Sequence, residues 1–117
     1  MATTNKKQKP KPAAPATMRR TGRIPLTEEE RSFVVKIGQE ITEKREKKIY
    51  RNKKMTQSDL SHLAFSTPSH INKIEQGTTE VGLIKFMHIC AAIGADPMEL
   101  LRKVWPGFLK YHSERNE

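Results

Sequence analysis

From residue 26 to residue 105, apolar positions recur at three- and four-residue steps, and no two-residue alternation runs for any length. Phe33 or Val34, Ile37 and Ile41 form the first stripe, which predicts a helix from about residue 28 into the high 40s. Thr27 caps it, with Glu30 completing a capping box, and Glu28, Glu29 and Glu30 suit the positive end of the helix dipole. Thr56 caps a second helix, with Asp59 three residues on and Leu60 and Leu63 or Ala64 facing inward. Thr67 caps a third, in which Pro68 takes the first helical position, Ile71 and Ile74 face the core, and Gly77 ends the helix. So few residues part the second and third helices that they must cross steeply, which is a helix-turn-helix unit. Leu83, Phe86 or Met87, Ile89 or Cys90, and Ile93 mark a fourth helix stopped by Gly94. Asp96 and Pro97 start a short fifth, "MELLRKVW", which Pro106 and Gly107 end. The pattern predicts an all-α fold: a compact five-helix domain over 26–105 and a tail over 106–117.

Charge adds a partner class to this outline. The chain of 117 residues carries a formal net charge of +9, in blocks. Residues 1–25 hold seven Lys or Arg and no acid, and residues 44–54 hold seven basic residues against one acid. Residues 26–43 are net acidic and residues 55–117 nearly balanced. Two basic blocks point to a polyanion. Neither block has the apolar face of a membrane-surface helix, so nucleic acid is favoured over membrane. The Lys- and Pro-rich segment 1–25 is expected to be a disordered basic arm, either a solubilising tail or an arm that tracks DNA phosphates or enters a groove. It has no apolar segment of a secretory signal, and no run is long enough to span a membrane. The single cysteine, Cys90, lies in the apolar run "FMHICAAIG" and reads as a buried thiol. These features suit a cytoplasmic, nucleoid-associated protein.

In order along the chain, "MTQSDLSHLA", "SHINKIEQG" and "LIKFMHICAAIGADPMELL" resemble the lambda-repressor/Cro-type helix-turn-helix family, also called the xenobiotic-response-element family. Thr56 and Gln57 match its Ser/Thr-Gln pair at the start of the second helix. Ile71, Ile74, Glu75 and Gly77 match the close of its recognition helix, and Glu99, Leu100 and Leu101 its final "ELL". "IGQEITEKR" (37–45) is similar to its first helix, with Arg45 where a basic residue pairs the recognition-helix glutamate. The resemblance spans residues 37–101 and implies a lambda-repressor-like DNA-binding fold. Two departures stand out. Phe65-Ser66 occupies the turn where the family carries Gly-Val or similar, and a phenylalanine strains a left-handed turn, so a different turn geometry is expected. The stretch between Arg45 and Met55 is also longer than in the family, through an extended first helix or an inserted basic loop.

The resemblance implies that the third helix (67–76) reads double-stranded DNA in the major groove. Ser69, His70, Asn72 and Lys73 are then the base-contacting candidates: Lys73 can donate to guanine, Asn72 can pair with adenine, and Ser69 can bond either way. Without the resemblance, the same residues form an ordinary solvated helix face. Gln57 resembles the family's phosphate- or base-contacting glutamine, and Thr67, Thr78 and Thr79 are backbone-contact candidates. Lys48, Arg51, Lys53 and Lys54, with Lys47, form either a solvated face or a phosphate clamp that positions without reading sequence.

No catalytic, metal or cofactor constellation emerges. His62, His70, His88 and His112 lack partners at metal-ligand spacing, no glycine-rich phosphate loop is present, and Cys90 has no base on its own helix face. The expected function is a sequence-specific transcriptional regulator, a repressor acting as a homodimer. Val104, Trp105, Phe108, Leu109 and Tyr111 offer apolar surface either for that dimer or for packing back on the domain. An alternative is an antitoxin-type protein that holds a partner toxin and represses its own operon.

Overall fold

The computed structural model describes residues 24–116. The expected arm over 1–25 lies outside the described residues except for Ile24 and Pro25, which are exposed. Among the described residues the order is α1 Glu28–Lys47, β1 Ile49–Tyr50, β2 Lys53–Lys54, α2 Gln57–Leu63, α3 Pro68–Gln76, α4 Leu83–Ile93, α5 Pro97–Val104 and α6 Phe108–Arg115. The described residues are mainly helical, as the pattern predicts, but they form six helices rather than five, and a two-stranded hairpin.

The helix starts follow local chemistry. Thr27 and Thr56 each form a full capping box, with Glu30 and Asp59 respectively. The Thr67 side chain accepts from the His70 amide at 3.1 Å, and that of Asp96 from the Met98 amide at 2.9 Å. Gly77 and Gly94 end α3 and α4 in the left-handed region, at φ 75° and 73°. The amide of Thr27 donates to Glu30, and that of Thr56 to Asp59, and these bonds are the main reason both carboxyls sit below their usual range.

The extra residues after Arg45 form the hairpin. Lys48 turns extended and ends α1. Ile49 then pairs with Lys54 and Tyr50 with Lys53, antiparallel. Arg51 and Asn52 both have positive φ, 52° and 67°, the type I′ loop that matches strand twist. The Arg51 guanidinium lies 5.4 Å from the centre of the Tyr50 ring. The amide of Met55 returns to the Lys48 carbonyl at 3.0 Å, and the Met55 side chain is buried.

Phe65 corrects the expectation of a changed turn. It adopts φ 56°, and the amide of Ser66 donates to the Ser61 carbonyl at 2.8 Å, closing a Schellman motif after α2. The turn is left-handed, with a phenylalanine in the place that favours glycine. Lys85 Nζ donates to the Ala64 carbonyl at 3.0 Å and also to that of Phe65, and so satisfies the helix end. The Phe65 ring is 74% exposed and meets the His88 ring edge-on at 5.0 Å.

The core joins Ile37 and Ile41 of α1, Leu60 of α2, Ile71 and Ile74 of α3, and Phe86, Ile89, Cys90 and Ile93 of α4, with Met55, Ala64 and Leu100. Burying an isoleucine such as Ile41 contributes about 1.5–3 kcal/mol. On α4 the core takes Phe86 rather than Met87, and both Ile89 and Cys90. Leu83, expected inside, is 71% exposed because it starts the helix beyond the edge of the bundle. Burial raises the Cys90 thiol to about 11, so it stays protonated. Gly38 sets how closely α1 crosses α3: a Cβ there would lie 2.6 Å from the Glu75 carbonyl oxygen.

The segment expected as a tail holds α6, which folds back on the start of α1. The Trp105 ring packs tilted against Phe33 at 5.1 Å and Tyr111 at 4.8 Å, and edge-on with Phe108 at 4.9 Å, between ring centres. The hydroxyls of Tyr111 and Thr27 share a 2.6 Å hydrogen bond, and Arg115 pairs with Glu30 at 2.7 Å. Trp105 and Tyr111 therefore pack on their own domain, Phe108 rests against Trp105 while staying 44% exposed, and Leu109 is 81% exposed.

Two predictions follow from these local features. Phe65→Gly relieves a left-handed cost of about 1–2 kcal/mol against a glycine entropy cost of about 0.5–1 kcal/mol, so urea denaturation should show a small net stabilisation. Because the Glu30 and Asp59 carboxyls are lower in the folded state, the stability they give is present above the unfolded carboxylate pKa and lost as pH falls through the folded values. Between pH 5 and 2.5, melting temperature should fall less in the Glu30→Gln, Asp59→Asn double variant than in the wild type.

Candidate nucleic-acid interface

The outer face of α3 carries Ser69, Asn72, Lys73 and Gln76, of which Ser69, Lys73 and Gln76 are exposed and Asn72 half-buried. His70 is half-buried beside them, and the cap Thr67 is exposed. Ile71, Ile74 and Glu75 turn inward, so the inner side of the helix is apolar but for one carboxylate.

A buried ion pair holds α3 to α1. Arg45 Nε donates to Glu75 Oε2 at 2.7 Å and Nη2 to Oε1 at 3.2 Å. The third donor, Nη1, reaches the Met55 carbonyl at 2.9 Å. Insertion of the hairpin after α1 leaves this fork intact because the hairpin leaves and returns on one side, at Lys48 and Met55. The family resemblance assigns this pair, but it does not disclose the third partner. Gln57 Nε2 donates to Glu75 Oε1 at 2.9 Å and to Asn72 Oδ1 at 3.2 Å, and Gln76 Nε2 reaches the same Asn72 oxygen at 3.4 Å. The first side chain of α2 is thus tied into the face of α3. Asn72 keeps its amide N–H₂ free of these bonds, whereas its oxygen is already engaged.

The sequence candidates divide into four groups. Ser69, His70, Asn72 and Lys73 share the α3 face, with Gln57 bonded to it. The capping box at Thr56 leaves the amides of Gln57 and Ser58 without an intrahelical partner. Arg51, Lys53 and Lys54 are exposed on the hairpin that leads into α2, and Lys53 Nζ lies 3.9 Å from Asp59 in the first turn of α2. Lys48 stands apart: its Nζ lies 3.4 Å from where a Cβ on Gly94 would be, at the end of α4. Thr78 and Thr79 follow α3, and their hydroxyls already donate to the Lys73 carbonyl at 3.2 Å and the Glu80 carbonyl at 3.5 Å. Among the described residues no three His, Cys, Asp or Glu gather as a metal site, and no helix is long and apolar enough to cross a membrane.

With this geometry in place, the chain can be set beside known proteins. No family model matches it, and neither does any curated protein. Its structure is similar to the crystal structure of the restriction-modification controller protein C.AhdI from Aeromonas hydrophila. The two share 28% sequence identity at a TM-score of 0.51, over 57% of this chain and 94% of the other.

Removing one partner from the buried pair strands the other charge. Arg45→Ala should cost about 3–5 kcal/mol in chemical denaturation, and Arg45→Met with Glu75→Leu should recover much of that loss. A double variant no more stable than Arg45→Ala would show that the fork does not set the cost.

Proposed function

We propose that this chain is a sequence-specific, double-stranded DNA-binding transcriptional regulator, a repressor that inserts α3 into the major groove. The observation that carries the reading is the polar face of α3, fixed from behind by Arg45 and Glu75, with the basic hairpin at the start of the neighbouring α2. Likeness to a controller protein supports a regulatory role. In this reading Ser69, His70, Asn72 and Lys73 meet base edges. Asn72 donates through its free amide nitrogen, and Gln57 and Gln76 release its oxygen when a base takes their place. Gln57, Thr67, Thr78 and Thr79 meet the backbone, and Arg51, Lys53 and Lys54 clamp phosphate beside the groove, with Lys48 swinging away from α4 to join them.

The repressor is proposed to act in the cytoplasm as a homodimer on two half-sites about one helical turn apart. Because Trp105 and Tyr111 pack internally and Phe108 rests against Trp105, the contact between copies falls on α4. There Leu83 and Ile84 are 71% and 70% exposed and Met87 stands a turn further on.

Selection from a random duplex library at near-physiological salt tests the reading. The wild type should recover a palindromic motif that Asn72→Ala with Lys73→Ala loses, each lost base pairing weakening binding by about 1–3 kcal/mol. Lys53→Ala with Lys54→Ala should keep the motif and lower the slope of log affinity against log salt by roughly two. Binding without any motif would overturn base reading by α3.

A further inference from the structure

A cleft of about 510 Å³ opens where α1, α5, α6 and the segment after α3 meet, and of its lining the proposed nucleic-acid interface uses Thr79 alone. That volume suits a drug-sized ligand. Phe33, Trp105 and Phe108 line it with aromatic rings, beside Leu26, Val34 and Val81. Two carboxylates also line it, Glu30 and Glu80. Glu30 is already satisfied, by the Thr27 amide at 2.9 Å and Arg115 at 2.7 Å. Glu80 is exposed, and among the described residues its carboxylate pairs with no cation.

Aromatic rings carry a negative face that attracts organic cations, most strongly where water is partly excluded. An unpaired carboxylate at the same cleft adds a full counter-charge. Both features run counter to the net charge of +9 that the chain carries. An apolar pocket with no charge preference would need neither. We propose that this cleft binds a lipophilic organic cation, such as an aromatic ammonium or phosphonium ion, with Phe33, Trp105 and Phe108 as the aromatic wall and Glu80 as the counter-ion. Ile74 of α3 also lines the cleft, so the ligand rests against the inner side of that helix.

Trp105 is the single tryptophan of the chain and lines the cleft, so its fluorescence reports occupancy directly. The full-length protein would be titrated with tetraphenylphosphonium and, separately, with tetraphenylborate, an anion of nearly the same shape. The expected result is a saturable, one-to-one change with the phosphonium, confirmed by calorimetry, and none with the borate. Glu80→Gln alters only an exposed side chain and should weaken the phosphonium by roughly two- to fivefold. Phe33→Leu keeps an apolar side chain but removes a ring face, and should weaken it by a similar factor. Circular dichroism melting of both variants checks that the fold is kept. Absence of saturable binding, equal or tighter binding of the borate, or unchanged affinity in Glu80→Gln would each overturn the proposal. DNA takes no part in these readouts, so failure of the regulatory reading would leave this result standing, and the reverse also holds.

Discussion

A guanidinium buried between two helices is tolerable only if acceptors meet it, a carboxylate first among them. Arg45 meets that demand with the Glu75 carboxylate on one edge and the Met55 carbonyl on the other. This single side chain therefore fixes α1 against α3 and also fixes where the hairpin hands the chain to α2. Glu75 in turn accepts from Gln57, which brings α2 into the same network. Gly38, nearly two turns earlier on α1, makes the approach possible, since any larger residue would press on the α3 backbone. The tilt of α3, and hence the direction of its polar face, depends on that pair of residues.

Most of this fold could be read from the sequence because its boundaries are set within a turn of themselves. Thr27, Thr56, Thr67 and Asp96 as caps, and Gly77 and Gly94 as stops, need only their own neighbours to act. The rest depended on contacts distant in sequence. Nothing near Leu83 says that α4 begins outside the bundle. "FLKYHSER" contains too few apolar residues to announce a helix, and α6 is recognisable only once Trp105, Phe33 and Thr27 are seen together. The hairpin was half legible: its length and charge marked an insertion, but only backbone dihedrals at Arg51 and Asn52 disclose a type I′ loop. For the candidate site, the resemblance located the α3 face and the Arg45–Glu75 partnership. It did not reveal that Gln57 and Gln76 already occupy the Asn72 oxygen, because a side-chain amide pair has no sequence spacing of its own.

Charge is divided as the backbone is. The exposed cations of the hairpin gather beside α2, whereas the acidic first turn of α1 lies under α6, where Arg115 and the Tyr111 hydroxyl meet it. A chain that is strongly basic in total thus keeps a carboxylate-bearing aromatic surface, and the two regions are separated by the apolar core rather than mixed.

The bond between Thr27 and Tyr111 has a consequence for how the chain is threaded. It brings the first and last helices of the described domain to one place, so the order in which the helices follow one another is not what closes the bundle. A circularly permuted chain, joined from Asn116 to Thr27 by a short linker and opened between Arg51 and Asn52, would retain every core contact. The domain is in effect a ring with a seam.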